Sequence, residues 1–537
     1  MTLAPPPPLP RDGLTSPVVA AGWRLQRLTQ PSRLFGANGL RTGPDGRVYI
    51  AQVTGSRISA LDVTTGELAV VTTRGGDIVA PDDVAFDTDG TLYATEVMDG
   101  RVSALDASGR TRVLRDDLPC ANGITVHGDR LFVGECRDGG RLMELDRSTG
   151  AQRMLAENLP SPNAMAVGPD GLLYFPVMTA NEIWRIDPYA DEAAPQRVAA
   201  DLGVPDSVKF DGHGRIVSTQ AASGQVLRID PRSGERTVLA QLQPGLDNCT
   251  FVGDRLFASN FSGEITEITG AGETATVLPG GLNWPLDLTV DDGGNVFVAD
   301  GTYFYAVGAH GGLQPLGMLF SPGYPGFIRG VAAAGPDEFV VTTSGGQVSR
   351  YRPGESTTEV LADGFDQLYG VALEAAGVVV TELGTGRLLR VRGGAHDVLA
   401  HGLAGPVGVV PAGHGEYLVA ESAAGRVVRV SGSRVEPVVD GLARPQGILL
   451  HERRLYIVDA GTREVLAIDL DTGARRTIAS GLPIGPPPGV QPKPLRGMPP
   501  FSGPQGPFAG IARRADGTLF VAADGDGSVL ALHPAGP

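Results

Sequence analysis

One phrase recurs along the chain with an oxygen-bearing side chain at a fixed place in it. "ANGLRTGPDGRVYIAQ" (37–52) returns as "APDDVAFDTDGTLYATE" (80–96) and as "SPNAMAVGPDGLLYFPV" (161–177). Aligned on their central turns, the copies bring Asn38, Asp82, Asn122, Asn163, Asp206 and Asp247 into one register, with gaps of 44, 40, 41, 43 and 41 residues. Three carboxylates and three carboxamides, with no His or Cys, make an oxygen-only donor set. Gathered at one point, three Asp repel one another and at least one holds its proton, unless a cation neutralises them. Such a set suits a hard divalent ion, Ca²⁺ first and Mg²⁺ or Mn²⁺ second. An ion with open positions can polarise a carbonyl or acidify a water.

Asn and Asp are also good turn residues. The same frame, however, continues through Leu286, Arg329, Tyr369, Val407, Gln446 and Ala509, none of them Asn or Asp. The backbone position tolerates many side chains, so the choice made in the first six units points to function.

The elements that position these residues follow from the spacing. Unit one reads "GLRTG", a "PDG" turn, then "RVYIAQ", "RISALDV" and "ELAVVTT". Two-residue alternation broken by Gly/Asp turns predicts four short antiparallel strands. Four strands per ~40 residues is the mark of a propeller blade, whereas an open β-solenoid uses shorter repeats. No segment keeps a helical period. The prediction is an all-β chain of two six-bladed β-propellers in tandem, because a single twelve-bladed ring would leave an unfilled hole. Residues 1–22 read as a disordered Pro-rich lead, 23–270 as the first propeller and 271–537 as the second. Spare strands at 23–30 and 274–280 are each expected to complete the last blade of their own ring and so hide its edges. The alternative closure pairs the N-terminal strand with the twelfth unit. A long Pro/Gly loop, 482–508, precedes the last blade and reads equally as a lid or a clamp between propellers.

In a propeller the start of each inner strand faces the central axis at one mouth. Ring symmetry then converges the six Asn and Asp on one point. The second strands of most units end in a polar residue on the same mouth: Gln52, Glu96, Glu135, Gln220 and Asn260, then Asp300, Glu382, Glu421, Asp459 and Asp524. Since both halves share this feature, it reads first as a structural cap. Glu96 and Glu135 also stand as substrate-binding candidates. His127 and His213 fall on the opposite mouth, which leaves no Ser-His-Asp arrangement in the first ring. Cys120, two residues before Asn122, reads as packing rather than as a nucleophile. Arg329 and Tyr369 imply either a metal-free pocket in the second ring or, more simply, an axis filled by its own side chains.

Composition narrows the partners. A net charge of −16 argues against nucleic acid, whose phosphates require a basic face, and suits cations and small molecules. No apolar run approaches a membrane span. The start, "MTLAPPPPLPRDGLTS", has neither the basic nor the apolar region of a signal peptide. Three cysteines give no disulfide framework and fit a reducing cytoplasm.

On the axial residues the first half resembles the gluconolactonase and senescence-marker-protein (regucalcin-type) family of six-bladed propellers. The resemblance implies an axial divalent metal held from the first, fourth and fifth blades. Asn163 in "SPNAM" matches the fourth-blade ligand, and Asp206 in "VPDSV" the fifth-blade Asp that also acts as base or nucleophile. Asn122 in "ANGIT" matches the third-blade Asn that contacts metal or substrate. "LDN" at Asp247–Asn248 is similar to the acidic pair of paraoxonase-like relatives. Where the family has a first-blade Glu, this chain has Asn38; Asp82 and Asp247 can supply the missing charge. The expected roles are catalysis by Asp206 and Asp247, metal ligation by Asn38, Asn163 and Asp206, and substrate binding by Asn122, Asp82, Glu96 and Glu135. The expected activity is metal-dependent hydrolysis of a lactone or related cyclic ester. A non-hydrolytic cyclase, lyase or isomerase of a specialised pathway is the alternative, and a non-catalytic binding protein the third reading.

Overall fold

The computed structural model describes residues 11–535 apart from 14, 271 and 500. Among them there is no α-helix, only two 3₁₀ turns, Met178–Ala180 and Pro353–Glu355. Among the described residues no helix is long and apolar enough to cross a membrane. The strands form twelve antiparallel sheets, eleven of four strands and one of five. These divide into two compact units, 34–280 with 489–500, and 1–33 with 281–488 and 501–537.

In the first unit six consecutive blades are each complete within their own stretch of chain. Blade 1 runs Leu40–Thr42, Val48–Gln52, Arg57–Leu61, Leu68–Thr72. Blade 6 runs Leu246–Val252, Arg255–Asn260, Ile265–Ile268, Thr274–Leu278. The inner strands of blades 1 and 6 pack together and close the ring. Thr42 seals this joint, with its Oγ1 donating to the Phe251 carbonyl at 2.7 Å. An apolar cluster holding Leu40, Val48, Ile50, Phe257, Ile265 and Leu278 fills the space between the two blades.

The second unit closes differently. Its last blade supplies only three strands in sequence, Ile511–Arg513, Leu519–Ala523 and Ser528–Pro534. The fourth is Trp23–Arg27, which pairs antiparallel with Ser528–Pro534. The strand at 23–30 therefore does not complete the first ring, as expected above, but the twelfth blade. The reason is structural: the sixth blade already owns four strands, the outermost being Thr274–Leu278, which is not a spare strand of the second ring. The first ring accordingly extends to residue 280, past the predicted boundary at 270.

The lead is also placed where it is described. Arg11 is buried and donates to the carbonyls of Asn283 (2.6 Å) and Asp524 (2.5 Å). Val18–Val19 adds a fifth strand beside Arg475–Ser480. Disorder is thus wrong for residues 11–13 and 15–22; residues 1–10 and 14 lie outside the described part. Arg11 explains why: its guanidinium supplies donors to buried carbonyls that would otherwise lack them.

Candidate functional site

Three of the six axial side chains of the first ring are aimed by a local break in their blade. In blades 2, 3 and 6 the inner strand skips register between Pro81 and Val84, Ala121 and Ile124, and Leu246 and Cys249. The two residues of each skip leave the ladder, and a bulge of this kind re-aims side chains. They are Asp82–Asp83, Asn122–Gly123 and Asp247–Asn248. Adjacent blades then clasp one another at the same level. The Gly39 amide donates to the Asp82 carbonyl at 2.7 Å, and the Ala164 amide to the Asp206 carbonyl at 3.2 Å. Hydroxyls on the second strands add a further clasp: Ser259 Oγ donates to the Asn38 carbonyl at 2.7 Å and Thr219 Oγ1 to the Asp247 carbonyl. Gly123 has no room for a side chain, because a Cβ there would collide with the Asn163 carbonyl.

The six axial residues meet as three Asn–Asp pairs, each between neighbouring blades. Asn38 Nδ2 donates to Asp247 Oδ2 at 3.2 Å, and Asn163 Nδ2 to Asp206 Oδ1 at 3.1 Å. Asn122 donates to Asp82. Burial pushes Asp82 up to about 7, with the charge of Asp83 adding to the effect. Asp206 and Asp247 are pushed well above the usual carboxylate range, first by burial and then by the other carboxylates of the group.

The carboxamides differ in their remaining atom. Asn38 Oδ1 accepts the Val53 amide at 3.2 Å. Asn163 Oδ1 is buried and accepts no hydrogen bond. An orphaned carbonyl oxygen beside a carboxylate is a position that a cation would satisfy. Among the described residues no group of three or more His, Cys, Asp and Glu could hold a metal ion. A cation here must therefore use carboxamide oxygens, and Asn163 with Asp206 offers the pair that fits.

Beneath this layer lies a second one that the repeat did not reveal. Asp83 accepts the Val84 amide at 2.9 Å and the Asn248 Nδ2 at 3.4 Å. Lys209 Nζ donates to Asn248 Oδ1 at 2.9 Å, and Arg41 Nη2 stands 3.9 Å from Asp83. Arg41 also donates to the carbonyls of Val84 and Ile124, at 3.0 and 2.8 Å, and so reaches across two other blades. Lys209 is buried, and burial lowers its ammonium to about 8. The chain has two lysines, Lys209 and Lys493, and Lys209 stands three residues after Asp206 as Arg41 does after Asn38; that scarcity and shared position were the hints that these cations have a task.

Glu96 and Glu135 sit outside the axial pairs. Glu96 accepts the Val79 amide and the Ser103 hydroxyl, both at 2.5 Å, and pairs with Arg101 at 2.6 Å. Glu135 is held by Arg141 and Arg137. Gln52, Glu382, Glu421 and Asp459 likewise accept backbone amides of the segments leading into their blades. These are the caps expected of a feature common to both rings.

One mouth of the second ring is closed, while a cavity of about 260 Å³ remains between its inner strands, lined by residues such as Asp287, Val331, Val409 and Ile448. Arg329 is buried and donates to Gln505 Oε1 at 2.9 Å and to the Gly506 carbonyl. Its guanidinium lies 4.3 Å from the ring centre of Tyr369 and 5.6 Å from that of Trp284. Phe508 packs edge-on against Tyr369. The end of the Pro/Gly loop is thus the stopper of this mouth.

Residues 132–258 match the model of the SMP-30/Gluconolactonase/LRE-like region. That stretch runs from the second strand of blade 3 to that of blade 6 and contains Asn163, Asp206 and Asp247. No curated protein matches the chain. Similar solved structures include virginiamycin B lyase from Staphylococcus aureus, at 18% identity over 52% of this chain and 96% of that one, with a TM-score of 0.39. A gluconolactonase from Xanthomonas campestris has 17% identity, coverages of 48% and 96% and a TM-score of 0.38. A calcium-binding regucalcin from Agrobacterium tumefaciens has 20% identity, coverages of 42% and 82% and a TM-score of 0.35.

Proposed function

We propose that the first ring is the active site of a divalent-cation-dependent hydrolase acting on a lactone or related cyclic ester. The observation that carries this reading is the buried, unsatisfied Asn163 Oδ1 beside Asp206, within a group of carboxylates that repel one another. Asn163 and Asp206 would hold the ion, with Asn38 and Asp247 across the mouth. When bound, a divalent cation would polarise the ester carbonyl and favour the ionised form of the carboxylates around it.

The chain's own groups carry the proton steps. Ionised Asp206, or else Asp247, accepts a proton from a water whose oxygen attacks the carbonyl carbon. The ring C–O bond then breaks, and the departing alkoxide takes a proton from a neutral carboxyl of the same group. The product is a hydroxy acid. Asn122, fixed by its bond to Asp82, presents its amide to the substrate oxygens. Asp206→Asn should abolish turnover of a panel of γ- and δ-lactones while leaving the melting temperature close to that of the parent. Full activity in that variant, together with full activity after chelation, would rule the mechanism out.

A second reading uses the same pocket without net hydrolysis. Asp82, titrating at about 7, can both donate and accept a proton near neutrality, as ring formation, elimination or isomerisation requires. A product of unchanged mass, or lighter by one water, would decide for it.

A further inference from the structure

The loop that precedes the last blade has a first half with a separate task. Residues 489–499 pack with the first ring, and their contacts run in order along its rim. The Gln491 carbonyl lies against Gly75. Lys493 Nζ stands 3.5 Å from Asp77, and Arg496 Nε 3.7 Å from Asp99. The Pro499 carbonyl accepts the Cys120 thiol at 3.3 Å. Leu495 and Gly497 are buried while Lys493 and Arg496 are exposed, so the strap is seated by one side chain and tethered by charges. Gly497 has φ +102, a conformation that lets the chain turn sharply beside the Cys120 contact.

These contacts fall on the segments that lead into the inner strands of blades 2 and 3 and on the turn after the second strand of blade 2. Residues 75 and 77 lead into the strand that carries Asp82. Asp99 follows Glu96, whose carboxylate fixes that lead-in at Val79. Cys120 lies two residues before Asn122. The strap therefore crosses the rim on the side of the Asp82–Asn122 pair. The Lys493–Asp77 pair is solvent-exposed and of a kind that holds weakly and yields to salt, while Arg496 reaches from solvent to a largely buried Asp99. Beside these pairs the strap is held by the buried Leu495, by the Gln491–Gly75 contact and by the Cys120 thiol hydrogen bond.

We infer that residues 489–499 form a hinged strap over the Asp82–Asn122 side of the mouth, which must part to admit a ligand and which selects ligands by size. The size selection rests on the hydrolase reading above; the opening does not.

Cys120 reports the strap directly, because Pro499 covers it. In the full-length protein, alkylation by iodoacetamide at fixed pH, followed by peptide mapping, gives the Cys120 rate apart from those of Cys136 and Cys249. Lys493→Glu combined with Arg496→Glu replaces exposed residues and spares the fold. It should speed Cys120 alkylation about three- to tenfold, as the loss of two ion pairs predicts. Added salt should speed alkylation of the parent protein in the same direction. Equal rates in variant and parent, with no salt effect, would overturn the strap. Carbodiimide coupling provides the converse. With two lysines in the chain, a Lys493–Asp77 amide is easily mapped, and protein so locked should alkylate more slowly than uncoupled protein; the same rate would again overturn it. For size selection, the charge-reversed variant should raise kcat/KM for γ-dodecalactone relative to γ-butyrolactone, and an unchanged ratio would remove that role. If the parent hydrolyses neither lactone, the hydrolase reading fails while alkylation still decides the strap.

Discussion

At the scale of single residues, the axial Asn–Asp pairs resolve a conflict that charge alone would create. Three buried Asp facing one another would be costly if all were ionised. Here each receives an amide N–H from a neighbouring Asn, and Lys209 beneath them opposes the rise of Asp206. The remaining strain has a pH signature. Asp82 is raised from 3.8 to about 7, so between those values the unfolded chain has released a proton that the folded chain keeps. Stability of the cation-free protein should therefore fall as pH rises through that window. Asn38→Glu makes the conflict sharper, since it removes the amide donated to Asp247 and adds a fourth axial acid. The variant should melt below the parent in chelator and should gain more from added Ca²⁺ than the parent does. A melting temperature indifferent to Ca²⁺ in both proteins would count against an ion at this position. The six axial residues were legible because each recurs in its blade. Asp83, Arg41 and Lys209 stood out less, because their positions mostly carry other side chains: Asp83 returns at its place only as Asp287, and Arg41 and Lys209 share theirs, three residues after the axial one, with Ala and Thr in the other blades of the first ring.

At the scale of elements, alternation and turn residues were enough to give twelve blades and the inner-strand positions that face the axis. The partner of an edge strand was not legible. Trp23–Arg27 is an amphipathic strand that could pair with many edges, and what decides is which blade lacks a strand in the finished fold. That blade is the twelfth, where the pairing runs unbroken from Trp23 to Arg27. The cap residues were legible as a class, because Glu96, Glu382 and Asp459 do in both rings what their shared position implied. Removing residues 1–33 should expose the edge of Ser528–Pro534 and empty the place of Arg11. We expect such a chain to lose the cooperative unfolding of the second ring, seen as a missing transition in calorimetry, and a synthetic 11–33 peptide to restore it. Two intact transitions without the peptide would show that the twelfth blade stands on three strands.

At the scale of the whole chain, one blade design serves two axes with opposite contents. One mouth gathers Asn and Asp around an orphaned carbonyl oxygen; the other is closed by Arg329, Tyr369, Gln505 and Phe508. The overall charge of −16 favours the approach of cations in general, so affinity alone would not locate an ion. Location requires the loss of binding when one oxygen is removed. The most direct test is calorimetric titration of chelator-treated protein with Ca²⁺, run side by side on the parent and on Asn163→Ala. An ion at the axis of the first ring predicts one saturable site per chain in the parent and none in the variant. Equal binding by both proteins, or none by a fully folded parent, would contradict it.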